Sequence, residues 1–158
     1  MGVEQLSPSG WRFSQDFEGV QLNPKHSSQF LKRFNGDFTL DISGRFHNTS
    51  KGVLLLISRP DKILPHLEIS IDVQKSVLVL RYLGVKSFQR VTLDNVFSVS
   101  RWVYLQVMLH NNELSVSVDC RQSGAAVLKQ TIDLIPKNAE VWFSSKMKED
   151  PGLQVCSL

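Results

Sequence analysis

The stretch Arg101-Trp102-Val103-Tyr104-Leu105-Gln106-Val107-Met108-Leu109-His110-Asn111-Asn112-Glu113-Leu114-Ser115-Val116-Ser117-Val118-Asp119-Cys120 decides the fold. It reads as two apolar strands joined by an Asn111-Asn112 turn, a dipeptide suited to the tight connection of a β-hairpin. Pairing across that turn sets Leu109 against Leu114, Val107 against Val116, Leu105 against Val118 and Val103 against Cys120. Ser115, Ser117 and Asp119 fall on the opposite face. A slip of one residue would turn the whole apolar set outward, so the register is strongly specified.

Working outward, the same alternation recurs. Phe38, Leu40 and Ile42 alternate with Thr39, Asp41 and Ser43, and Lys51 to Ser58 reads as a strand buried on both faces. Leu67, Ile69 and Ile71 pair with Tyr82, Leu80 and Leu78 if Gln74-Lys75 makes the turn. That register sets Glu68 opposite Arg81, a favourable cross-strand charge pair, so the apolar and charged patterns agree. Further strands are expected at 87–93, around 127–134, at 140–144 and at 153–156, with an edge strand in the leading segment 11–22. The total is about nine or ten strands at the regular spacing of a sandwich or barrel. One helix is expected over Ser27 to Phe34, with a Ser cap and an Asn35-Gly36 stop. The reading is an all-β, antiparallel two-sheet sandwich of jelly-roll type with one short helix.

The 158 residues suit a single domain spanning 1–158, with 1–10 as a flexible leader. No apolar run approaches the roughly 18 residues of a membrane span, which argues against membrane insertion. A net charge of +3 without a clustered basic, aromatic-laced face argues against nucleic acid. Met1-Gly2-Val3-Glu4 opens no signal peptide. The even pair Cys120 and Cys156 and the sequon Asn48-Thr49-Ser50 nevertheless favour a secreted chain given without its leader. The cysteines form either a disulfide or two inert thiols.

No catalytic constellation emerges. His26, His47, His66 and His110 share no ligand spacing, and His66 and His110 read as exposed loop residues, so neither metal nor cofactor is expected. Asp41, Glu68, Asp72 and Asp119 line a sheet face, but they occupy the polar half of each strand and read as solvated rather than as an acid–nucleophile pair. Basic residues are scattered, several at strand ends or in loops, where a sulfated polysaccharide could bridge them.

With Arg101-Trp102 opening one strand and Val118-Asp119-Cys120 closing the next, the chain resembles the laminin G-like superfamily, and within it the thrombospondin N-terminal-like branch. Phe38-Thr39-Leu40-Asp41-Ile42, Gly52-Val53-Leu54-Leu55-Leu56-Ile57, Leu78-Val79-Leu80-Arg81-Tyr82 and Glu140-Val141-Trp142-Phe143-Ser144-Ser145 are similar, in that order, to its core strands. The resemblance covers about Ser27 to Cys156. Ser100 stands where the family usually has Gly, and the segment before Cys156 is short for it.

The resemblance implies a non-catalytic, extracellular recognition module of a matrix, secreted or adhesion-receptor protein. Its partners would be an extracellular protein (receptor, growth factor or matrix component) and heparan sulfate. Lys86, Arg90, Arg101 and Arg121 are the candidate binding residues, and Asn48 the candidate glycosylation site. The alternative is a lectin of the same architecture that binds neutral sugar. That reading needs a stacking aromatic in a polar cleft, and Trp102 and Trp142 are expected in the core instead.

Overall fold

The computed structural model describes residues 3–7, 10–13, 19–34, 36–46, 51–96, 102–145 and 154–156. In chain order these form β1 (Val3–Ser7), β2 (Gly10–Phe13), β3 (Val20–Gln21), α1 (Pro24–Arg33), β4 (Phe38–Arg45), β5 (Lys51–Ser58), β6 (Leu67–Asp72) and β7 (Val77–Leu83). There follow β8 (Phe88–Leu93), β9 (Trp102–His110), β10 (Glu113–Val118), β11 (Arg121–Val127), β12 (Glu140–Ser145) and β13 (Gln154–Cys156).

Two antiparallel sheets stack into a sandwich. One has seven strands in the order β1-β2-β13-β4-β9-β10-β11, the other six in the order β3-β12-β5-β6-β7-β8. The expected all-β sandwich with one short helix is therefore the fold observed. The core lies between the sheets. Leu40, Ile42, Leu105, Val107, Leu109, Leu114 and Val116 come from the first sheet, and Leu55, Ile57, Leu67, Ile69, Leu78, Leu80 and Tyr82 from the second.

The hairpin forms in the expected register, with Leu109, Val107 and Leu105 opposite Leu114, Val116 and Val118. Asn111 and Asn112 both have positive φ (50° and 62°), the backbone that turn demands. The Val103–Cys120 pair does not form. Asp119 and Cys120 also turn left-handed (φ 50° and 64°), and Asp119 Oδ1 accepts the Tyr104 N–H at 2.9 Å. The chain thus reverses at once into β11, so β11 occupies 121–127, and the strand expected around 127–134 is an irregular connection with one bridge, Gly84 to Ile132.

Two other boundaries move. Asn23 caps α1, its side chain accepting the His26 N–H at 2.9 Å, with Pro24 in the first turn. Ser27, expected as the cap, is buried and donates its hydroxyl to the Leu22 carbonyl at 3.1 Å. Val3–Ser7, expected to be flexible, pairs with β2 as an edge strand.

Candidate functional site

The outward face of the six-stranded sheet carries side chains an inert solvated face would not. Alternation sends Leu67, Ile69 and Ile71 of β6 and Leu78, Leu80 and Tyr82 of β7 into the core, so Glu68, Ser70 and Asp72 face out beside Val79 and Arg81. Three rows then run across the strands. The first is Trp142–Leu56–Glu68–Arg81–Arg90, from β12 to β8. The second is Val53–Ser70–Val79–Thr92, and the third Lys51–Asp72–Val77.

The middle row is short and its neighbours are long, so it lies at the bottom of a trough. Although they face outward, Val53 is 4% exposed, Ser70 5% and Val79 9%. The trough encloses about 240 Å³, walled by Arg81 and Arg90 on one side and by Lys51, Asp72 and Lys75 on the other.

Glu68 is 5% exposed, and a buried carboxylate needs a partner. Arg81 supplies it, with Nε donating to Oε1 at 2.9 Å and Nη2 to Oε2, in the register that the sequence pattern predicts. The bidentate geometry locks both side chains. Lys51 Nζ reaches Asp72 Oδ2 at 3.7 Å. Arg90 is exposed and makes no hydrogen bond or ion pair among the described residues.

Trp142 is where sequence reasoning fails. It was expected in the core, but Val141 and Phe143 take the inward positions of β12, which leaves Trp142 half-buried on the outer face beside Leu56. Its indole N–H donates to Glu140 Oε2 at 3.3 Å. Strand alternation around Val141 was the signal that could have placed it.

The outward face of the seven-stranded sheet is different. Tyr104 Oη (2.7 Å) and Gln106 Nε2 (2.9 Å) both donate to Asp41 Oδ1, so its polar groups are spent on one another. The bond to Asp41, assisted by desolvation, holds the Tyr104 phenol above its ordinary pKa.

The candidate residues scatter. Arg90 stands on the outer face of the six-stranded sheet, and Lys86 lies in the β7–β8 turn, roughly 13 Å further along the strand. Arg121 is exposed at the start of β11 in the other sheet. Arg101, Asn48, His47 and the side chains of Trp11 and Trp102 lie outside the described residues. The four carboxylates do not share a face: Asp41 and Asp119 belong to the seven-stranded side, Glu68 and Asp72 to the other.

His66 is not an exposed loop residue. It is 4% exposed, and its Nε2 donates to the Asp133 carbonyl at 2.9 Å, tying the β11–β12 connection to β6. Among the described residues no group of three His, Cys, Asp or Glu could hold a metal ion, and no helix is long and apolar enough to cross a membrane.

Cys120 carries a free, exposed thiol. The backbone of Cys156 pairs with Ser43, Ser43 with Tyr104, and the Tyr104 carbonyl accepts the Asp119 N–H, so three strand spacings separate β13 from the Cys120 turn. That is about 14 Å, well beyond the span of a disulfide. The bridge between Cys120 and Cys156 is not made in this structure.

No protein-family profile and no curated protein sequence matches the chain. Solved structures do. The CBM40 domain of the Ruminococcus gnavus IT-sialidase aligns with a TM-score of 0.66 at 11% identity, over 94% of this chain and 86% of that one. The same domain bound to α2,3-sialyllactose gives a TM-score of 0.62 at 10% identity, over 89% and 86%. Caenorhabditis elegans galectin LEC-6 gives 0.52 at 12% identity, over 91% of each chain. The chain therefore has the jelly-roll β-sandwich fold that those galectin and carbohydrate-binding domains share.

Proposed function

We propose that this domain is a non-catalytic glycan-recognition module whose sugar lies on the outward face of the six-stranded sheet. One observation carries the reading: a half-buried indole, Trp142, shares an outward row with the locked Glu68–Arg81 pair. A pyranose presents an apolar face of C–H groups and an edge of hydroxyls. The indole and Leu56 suit the first, and the uncommitted Arg81 donors suit the second. Pre-formed, ion-paired side chains on a rigid sheet also lose little entropy on binding. Recognition of a short glycan is thereby favoured over the matrix-protein and heparan sulfate reading, for which Lys86, Arg90 and Arg121 are too dispersed to form one track.

The finer laminin G-like kinship and an extracellular setting belong to the same proposal. They are supported by the order of the strand motifs, four of which fall in β4, β5, β7 and β12.

The test is a glycan array followed by titration of the strongest hit against the wild type and Trp142→Ala. The expected result is saturable binding that Trp142→Ala abolishes while the urea unfolding midpoint stays within the range of surface substitutions. A blank array, or a Trp142→Ala protein that binds as well as wild type, overturns the proposal.

A further inference from the structure

We infer that the trough beside the Trp142–Arg90 row is an anion subsite for the carboxylate of an acidic sugar, with Arg90 as its free guanidinium fork. The inference rests on the glycan reading above and names the class of sugar.

Like charges directly opposite on neighbouring strands destabilise a sheet, and Arg81 and Arg90 are Cα partners. Glu68 answers Arg81 alone, and it does so with both carboxylate oxygens. Across the trough Asp72 answers Lys51. Arg90 and Lys75 are left as cations of the lining without a counter-charge among the described residues. An anion entering between the walls supplies the missing charge.

Shape narrows the class. A guanidinium offers parallel donors that match a planar carboxylate, which a point charge cannot do. The cavity of about 240 Å³ is small, the size of a sugar ring rather than of a polymer segment. Lys86 lies off the trough in the β7–β8 turn and Arg121 lies in the other sheet, so among the described residues no basic track continues from it as a sulfated polysaccharide would require. Ser70 and Val79 form a low floor that lets a ring approach the sheet.

The experiment titrates the wild type, Arg90→Gln and Arg121→Gln with α2,3-sialyllactose, a glucuronate-terminated disaccharide and lactose. At least one acidic sugar should bind more tightly than lactose, and added salt should narrow the difference. Arg90→Gln should shrink the acid-over-neutral preference by roughly tenfold or more, the worth of a charge-assisted hydrogen bond. Arg121→Gln, away from the trough, should keep it. Equal binding of acidic and neutral sugars, or a preference that survives Arg90→Gln, overturns the subsite and leaves the glycan reading standing. No binding of these sugars together with a blank array overturns both.

Discussion

Arg81 binds Glu68 through two hydrogen bonds across the β6–β7 register, while Arg90 stands opposite Arg81 on β8 with no counter-charge among the described residues. The pair is thus part of a three-strand charge row with one cation in excess. Removing either partner leaves something uncompensated. Glu68→Gln sets two arginines against each other, and Arg81→Met leaves a 5% exposed carboxylate alone. Each should cost about 3 kcal/mol, toward the low end for a buried pair because Arg81 is a third exposed. Combining Glu68→Gln with Arg81→Met should recover part of the loss, since neither charge is then left without its partner. Urea unfolding of the four proteins, treated as a double-mutant cycle, measures the coupling, and additive losses would show that the pair is not coupled.

How much of this was legible in the sequence depends on how local the cause is. The Glu68–Arg81 contact and the β9–β10 hairpin follow from alternation and turn chemistry within about 20 residues, so both were readable. The β10–β11 reversal was not, because Asp119 and Cys120 look like strand residues and only the Asp119 bond to the Tyr104 N–H shows why the chain turns there. His66 follows Pro65 and looks exposed, yet the connection arriving from β11 buries it, a contact across 67 positions. The site suffers the same way. Trp142, Glu68 and Arg90 come from three separate strands, and only the sheet order places them in one row.

The Asp119–Cys120 turn should respond to backbone chemistry more than to thiol chemistry. Asp119→Ala loses the acceptor for Tyr104 N–H and puts an alanine at positive φ, for a cost of about 2 kcal/mol. Cys120→Gly relieves a left-handed residue and should be neutral or stabilising by a few tenths of a kcal/mol. A bridged cysteine would instead lose about 2–5 kcal/mol on removal. Thermal unfolding of Cys120→Gly, with alkylation of Cys120 in the native wild type, separates the two cases.

Gly84 is fixed by its surroundings. A Cβ there would lie 2.5 Å from Gln130 Oε1 and 2.9 Å from the Ser87 carbonyl. Gln130 Oε1 accepts the Lys86 N–H at 2.9 Å and the Ser87 N–H at 3.2 Å, so the glutamine cannot swing away without releasing the β7–β8 turn. Gly84→Ala should therefore cost about 1–3 kcal/mol. Amide exchange should show Lys86 and Ser87 opening faster in the variant. Unchanged exchange at both would mean that the turn does not depend on Gln130.

The two tyrosines give a prediction in alkali. Burial raises the Tyr82 phenol above its ordinary 10.0, and its hydroxyl donates to the Gln130 carbonyl at 2.9 Å. Tyr104 is raised as well, mainly by donating to Asp41. In each the folded state favours the neutral phenol, so the contribution to stability is fully present below pH 10 and is lost as pH rises through the folded-state values. Phenolate absorbance should thus show little ionisation at the pH where free tyrosine is half ionised. Tyr104, on the outer face, should titrate reversibly first. Tyr82, fully buried, should ionise only as the sandwich unfolds, so its absorbance change should coincide with the loss of the backbone circular dichroism of the sheets. Asp41→Asn should bring Tyr104 back toward its ordinary value and leave Tyr82 where it is. If both phenols titrated together near 10 in the native protein, neither hydrogen bond would persist in solution.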